Sequence, residues 1–295
     1  MYAWSSARTI VPLVLGAVGL LAWLSFEHTI PAAPILPLVI LRNRTACAAF
    51  LGTLITGYIQ FGLLYYLPLY YQISKGYSSL ACGLALLPQC LVSGPMSAMT
   101  GIVITKSGRY RPFIWFGWLI LALGCGILQL LELDTSVVKW IFLNVVSGVG
   151  LGLLFVSLTM AAQAATIKEH IAIASGLVPF FRAVGQALGI VIGNAVFQNV
   201  LKRRLAALTT SLMDLTLEDL AKDVALFNEV VRSLPLISPV RVELVMAFNH
   251  SLHALWWILT SFAIVGAIFS LLIKAVDLNG EAIVPAEVTG NPEKA

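Results

Sequence analysis

The chain has 295 residues, of which 59% are hydrophobic and only 11% charged, with a mean hydropathy of +0.92. Soluble domains carry about 25% charged residues, so this composition excludes a soluble globular protein and indicates an integral membrane protein. The net charge of +4 is small and sits mainly between apolar runs, which reads as membrane topology rather than nucleic-acid binding.

A first span is expected over residues 10–26, closed by Glu27 and His28. Arg8 ahead of it suggests a signal peptide, but the run is long for one, lacks an Ala-x-Ala-like site and opens a series of further spans. Residues 31–37 are too proline-rich for helix and form a connector, after which Arg42 and Arg44 mark a membrane boundary.

A second span is expected over 45–69, ending in Tyr65, Tyr66, Tyr70 and Tyr71, an aromatic cluster suited to a membrane interface. The third, over 80–105, carries Pro88 and Pro95, which predict kinks. The fourth, over 112–131, opens on proline and places Trp115 and Trp118 near the interface. The fifth, over 138–165, contains Gly148, Gly150 and Gly152, and the sixth, over 171–201, contains Gly185, Gly189 and Gly193. Glycines four residues apart share one helix face, so the last three predict close packing of another helix. The four cysteines, Cys47, Cys82, Cys90 and Cys125, all lie in apolar runs without CxxC spacing, and read as packing residues rather than disulfides or metal ligands.

Residues 202–249 are polar. Within them Leu217, Leu220, Val224, Phe227, Val231 and Leu234 alternate at three and four, Thr216 with Asp219 forms a capping-box pattern, and Pro235 stops the run. This predicts an amphipathic helix on the membrane surface or the bundle end, or a solvated connector that folds only on docking. Ser238-Pro239 is a further helix start, leading toward a seventh span over 251–273, and the tail from Asp277 reads as disordered. The expectation is thus an all-α membrane bundle of about seven spans, partitioned as 1–44, 45–201, 202–249, 250–274 and 275–295.

The turn between spans three and four packs Lys106, Arg109 and Arg111 with Gly101 and Gly108 into about a dozen residues, which makes those spans an antiparallel hairpin. With that turn cytoplasmic, Arg42, Arg44, Lys168 and Lys274 fall on the same side, and Arg8, Lys75 and Lys139 on the other. Lys202, Arg203 and Arg204 oppose the assignment, so charge alone leaves orientation open.

Gly101-x-x-x-x-Lys106-x-Gly108-Arg109-x-Arg111 resembles the loop signature of the major facilitator superfamily. Leu67-Pro68-Leu69-Tyr70-Tyr71-Gln72, Leu86-Leu87-Pro88 and Arg182-x-x-Gly185-x-x-x-Gly189 resemble the second half of fungal fourteen-span drug:proton antiporters. The resemblance implies that span one matches the helix before the C-terminal six-helix bundle and that spans two to seven match that bundle. It also implies a cytoplasmic 101–112 loop and tail, an external 202–249 segment, and a plasma-membrane or vacuolar location. The N-terminal bundle of such a carrier has no counterpart here, which implies a fragment, or a chain that works with another carrier chain.

Among candidate functional residues, Arg182 is the cation placed inside a span. It would contact an anionic substrate or a gating network, or else lie near the cytoplasmic end, paired with carbonyls, lipid phosphate or Glu169; the second reading is favoured. Gln60, Gln89, Asn144, Gln163, Gln186 and Asn194 either line a cavity or hydrogen-bond a neighbouring helix, with Gln60 and Gln89 near mid-span. By the resemblance, spans two, three, five and six face the pathway. No span interior holds Asp or Glu, and the histidines His28, His170, His250 and His253 sit near span ends, so a proton relay belongs to the other half or to Glu27.

The implied function is export of small amphipathic organic molecules, proton-coupled in the intact protein and without a cofactor. A non-transporting partner of a full-length carrier is the alternative. An enzyme ranks last, because no HExxH, GxSxG or paired intramembrane carboxylates occur.

Overall fold

The computed structural model describes residues 6–29, 40, 43–206, 224–235 and 238–274. The 31–37 connector, Arg42, the Thr216–Asp219 cap with Leu217 and Leu220, and the tail from Asp277 lie outside these residues, as do the side chains of Glu27 and His28.

Every regular element among the described residues is helical. In chain order they are α1 (Ala7–Thr29), α2 (Arg44–Leu69), α3 (Ser79–Ser107), α4 (Arg111–Ile127), α5 (Val137–Ala164), α6 (Ile171–Ala206), α7 (Val224–Ser233) and α8 (Pro239–Ser270). Six of them, α2 to α6 and α8, are long and apolar enough to cross a membrane. The apolar side chains of α1, including Val14, Leu15, Val18 and Leu21, are exposed.

Local signals start and stop these helices. Asn43 caps α2 by accepting from the Thr45 N–H at 2.9 Å, Ser78 caps α3, and Ser136 caps α5. Gly108 ends α3 at φ 68°, a left-handed conformation open to glycine, and its N–H donates to the Ile104 carbonyl. The Ser238-Pro239 start is used: α8 runs without a break from Pro239, so His250 and His253 lie inside a helix rather than at its start.

In the bundle, α2 is central, packed on α6, α5 and α8, while α5 also packs on α3 and α4. Glycines set how closely these helices approach. A Cβ on Gly148 would lie 2.7 Å from the Gln89 carbonyl oxygen, and one on Gly152 2.7 Å from that of Ser93, so these two seat α3. Gly150, half a turn away, faces Leu121 of α4.

The aromatics divide between core and surface. Tyr66, Tyr70 and Tyr71 are buried and only Tyr65 is exposed, because the chain leaves α2 through a π turn (Tyr70–Ser74) that keeps both turn tyrosines in the core. Tyr70 donates to the Glu132 carbonyl at 2.7 Å, tying this turn to the α4–α5 connection. Trp118 is likewise buried, packed on the bare backbone of Gly266 in α8, whereas Trp115 is exposed beneath the Arg111 guanidinium, 4.7 Å from its ring centre.

The two bundle ends differ. At one, the Tyr110 hydroxyl donates to the Lys274 carbonyl and Asn43 to the Ala165 carbonyl, both at 2.7 Å, fastening the starts of α2 and α4 to the ends of α5 and α8. At the other, the Lys75 ammonium donates to the Leu133 and Thr135 carbonyls, and burial pushes it below the usual lysine range, partly offset by Asp134. There α7 docks by burying Phe227 and Val231, with Phe227 stacked on Phe248 at 5.4 Å and Arg232 donating to the Tyr77 carbonyl at 3.0 Å.

Candidate functional site

A cavity of about 210 Å³ lies between α2, α3 and α5. Its lining is Thr56 and Gln60 from α2, Ser93, Gly94 and Ser97 from α3, and Leu151, Gly152 and Phe155 from α5. These residues fall near the middle of their helices. The wall is a mixture of hydroxyls, one amide and apolar surface, suited to a molecule with both polar and oily parts. The Gln60 side-chain oxygen is buried and finds no partner among the described residues.

The other amides are spent differently. Asn144 is fully buried and its amide donates to the Tyr71 hydroxyl at 2.5 Å, a bond between α5 and the turn after α2. Gln163 donates to the Ser175 hydroxyl at 2.9 Å, joining the end of α5 to the start of α6. Gln89 is buried in the α3–α5 contact, and Gln186 is half-buried on α6. Of these residues and Gln60, Gln60 alone lines the cavity. Thr56, Ser93, Ser97 and Phe155 were missed at the sequence level, because hydroxyls and a phenylalanine inside an apolar run carry no signal of which way they face.

Arg182 lies deep in the bundle. Its backbone packs on Gly57, where a Cβ would collide with the Arg182 carbonyl. Gly57 is about 20 Å from the start of α2 at 1.5 Å per residue, well inside a hydrocarbon core about 30 Å thick. The side chain is only 9% exposed. Its guanidinium lies 3.6 Å from the centre of the Phe155 ring and donates to the Phe155 carbonyl at 3.3 Å. Among the described residues its partners are one carbonyl and an aromatic face, and Glu169 is not one of them. A cation at the bilayer centre costs about 2.5–3.5 kcal/mol on insertion scales. A desolvated cation–π contact offsets about 2 kcal/mol of that.

The glycines of α6 work on the opposite side from the cavity wall. Gly185 faces the Leu54 carbonyl, Gly189 would place a Cβ 2.5 Å from the Tyr58 carbonyl oxygen, and Gly193 meets the Tyr66 ring. With Gly57 on α2 they form a reciprocal interlock that sets Arg182 at its depth.

In the 101–112 turn, Lys106 and Arg109 are exposed, Arg111 is half-buried over Trp115, and Gly108 supplies the left-handed cap. Gly101 faces Val156 of α5 at an ordinary contact distance. Among the described residues, no group of three or more His, Cys, Asp or Glu could hold a metal ion.

The family model described as Major Facilitator Superfamily matches residues 2–190. The chain is 36% identical over 280 residues to MFS transporter L2 of Phoma sp., a match covering 95% of this chain and 46% of that protein. It is 32% identical over 281 residues to the MFS-type efflux pump MMF1 of Pseudozyma antarctica, covering 94% of this chain and 51% of the pump. The Acurin A biosynthesis cluster MFS-type transporter of Aspergillus aculeatus is 30% identical over 284 residues, with 95% and 50% covered. The chain spans about half the length of the curated relatives it matches. With most of the chain under the family model and six helices able to span a membrane, the chain belongs to the major facilitator superfamily.

Proposed function

We propose that this bundle serves as the C-terminal half of an exporter of small amphipathic organic molecules, working by alternating access against a second bundle. The observation that carries the reading is the mid-depth cavity of mixed polarity between α2, α3 and α5 in a chain of this family. Relatives that are efflux pumps, and one tied to a biosynthesis cluster, support outward movement of a small organic metabolite. Gln60, with the hydroxyls of Thr56, Ser93 and Ser97, contacts the polar part of the cargo, and Leu151 and Phe155 its apolar part. Among the described residues the six spanning helices hold no carboxylate beyond Glu243, near the start of α8, so proton coupling is assigned to the other bundle. The 101–112 turn faces the cytoplasm of a plasma-membrane protein, where Lys106, Arg109 and Arg111 hold one conformational state through ion pairs with the facing bundle.

The test is a chimera in which this chain follows the N-terminal half of the Phoma L2 transporter, expressed in yeast loaded with a fluorescent amphipathic dye. Energy-dependent efflux well above that of the L2 half alone is expected. A chimera that reaches the membrane and moves no more dye than that half overturns the reading.

A further inference from the structure

Arg182 is the residue that the packing of the bundle does not explain. It is a cation nine-tenths buried, and among the described residues its Nε has no partner and no carboxylate pairs with it. What holds it is one backbone carbonyl and one aromatic face, and both belong to Phe155. Phe155 is a wall residue of the cavity and its side chain is 42% exposed. A permanent positive charge therefore stands against a residue of the cavity wall, 3.6 Å from the centre of the Phe155 ring. The remaining wall is neutral, and one of its groups, the Gln60 oxygen, also lacks a partner among the described residues.

Resting on the transport reading above, we propose that this cavity selects amphipathic organic anions. Their carboxylate, sulfonate or phenolate group takes Arg182 as counter-ion when the Phe155 ring turns aside. A guanidinium keeps its charge even when buried and offers parallel N–H donors that match such oxygens. Phe155 has room to turn because much of its surface is uncovered. The exchange replaces a cation–π contact with a charge-assisted pair that also satisfies the guanidinium N–H donors. A neutral molecule of the same shape gains nothing from Arg182 and leaves Phe155 in place.

The test compares binding of 8-anilinonaphthalene-1-sulfonate and N-phenyl-1-naphthylamine, which share a ring system and differ in the sulfonate. The full chain is held in nanodiscs of zwitterionic lipid and the signal of empty discs is subtracted. The sulfonate is expected to bind at least about tenfold more tightly than the neutral dye, the scale of one charge-assisted hydrogen bond. Arg182→Gln is expected to abolish that preference without weakening the neutral dye, and Arg182→Lys to keep part of it. Equal affinities in the unsubstituted chain overturn the proposal, whatever the variants do. A preference that survives Arg182→Gln overturns it too, by placing the anion elsewhere. Neutral dye bound without charge preference, or no binding of either dye, refutes the anion selectivity and leaves the transport reading to the chimera, which alone supplies the second bundle.

Discussion

The carbonyl oxygen of Leu54 occupies the space that a side chain on Gly185 would need. Backbone thus lies against backbone where α2 and α6 cross, and the same crossing carries Arg182 on one partner and Gly57 on the other. In lipid, where apolar burial does not drive helices together, such close packing is one of the contributions that hold helices in contact.

Gly185→Ala is therefore expected to force α2 and α6 apart and destabilise the bundle by about 1–3 kcal/mol, the usual cost of overpacking. Gly176 lies on the same helix with nothing within 4 Å, so Gly176→Ala should be neutral or slightly stabilising. Thermal unfolding in detergent, followed by tryptophan fluorescence, checks the pair. Equal midpoints for the two variants would mean that the crossing is not what holds these helices.

The bond from Asn144 to the Tyr71 hydroxyl links α5 to the π turn after α2. A double-mutant cycle with Tyr71→Phe and Asn144→Leu should give a coupling energy of about 0.6 kcal/mol and no more than about 1.7, the range for interhelical hydrogen bonds in membranes. A coupling indistinguishable from zero would show that the contact does not contribute.

The two glycines of the cationic turn should behave differently. Gly108 sits at φ 68°, so Gly108→Ala is expected to cost about 1–2 kcal/mol of backbone strain. Gly101 has ordinary helical geometry, and a Cβ there would meet a Val156 methyl at a comfortable 3.5 Å, so Gly101→Ala should be nearly silent in the same unfolding assay. The reverse order would contradict the left-handed cap.

Orientation is testable with single cysteines after removal of Cys47, Cys82, Cys90 and Cys125. Ser107 and Ser136 are both exposed, at opposite ends of the bundle. A membrane-impermeant maleimide added to intact cells should label Ser136→Cys at once and Ser107→Cys only after permeabilisation. Labelling of Ser107→Cys in intact cells would invert the topology.

Much of the fold is legible in the amino-acid sequence. Apolar runs of membrane length can satisfy their backbone in lipid only as helices, so composition and the spacing of charges are enough to predict a helical membrane bundle. Asn43, Ser78, Ser136, Gly108 and the Ser238-Pro239 pair bound helices through local hydrogen bonds and φ preferences, which depend on neighbours along the chain. Which way a residue faces is not legible there. The apolar runs are uniform around their circumference, because one face meets lipid and the other meets protein that is equally oily. Nothing local tells Tyr71 and Trp118 to turn inward, distinguishes Gln60 at the cavity from Asn144 in a helix contact, or recruits Phe155 to shelter Arg182. Those assignments depend on glycines on one helix meeting carbonyls on another, across about 60 to 130 residues of chain, a relation that exists only once the helices are packed.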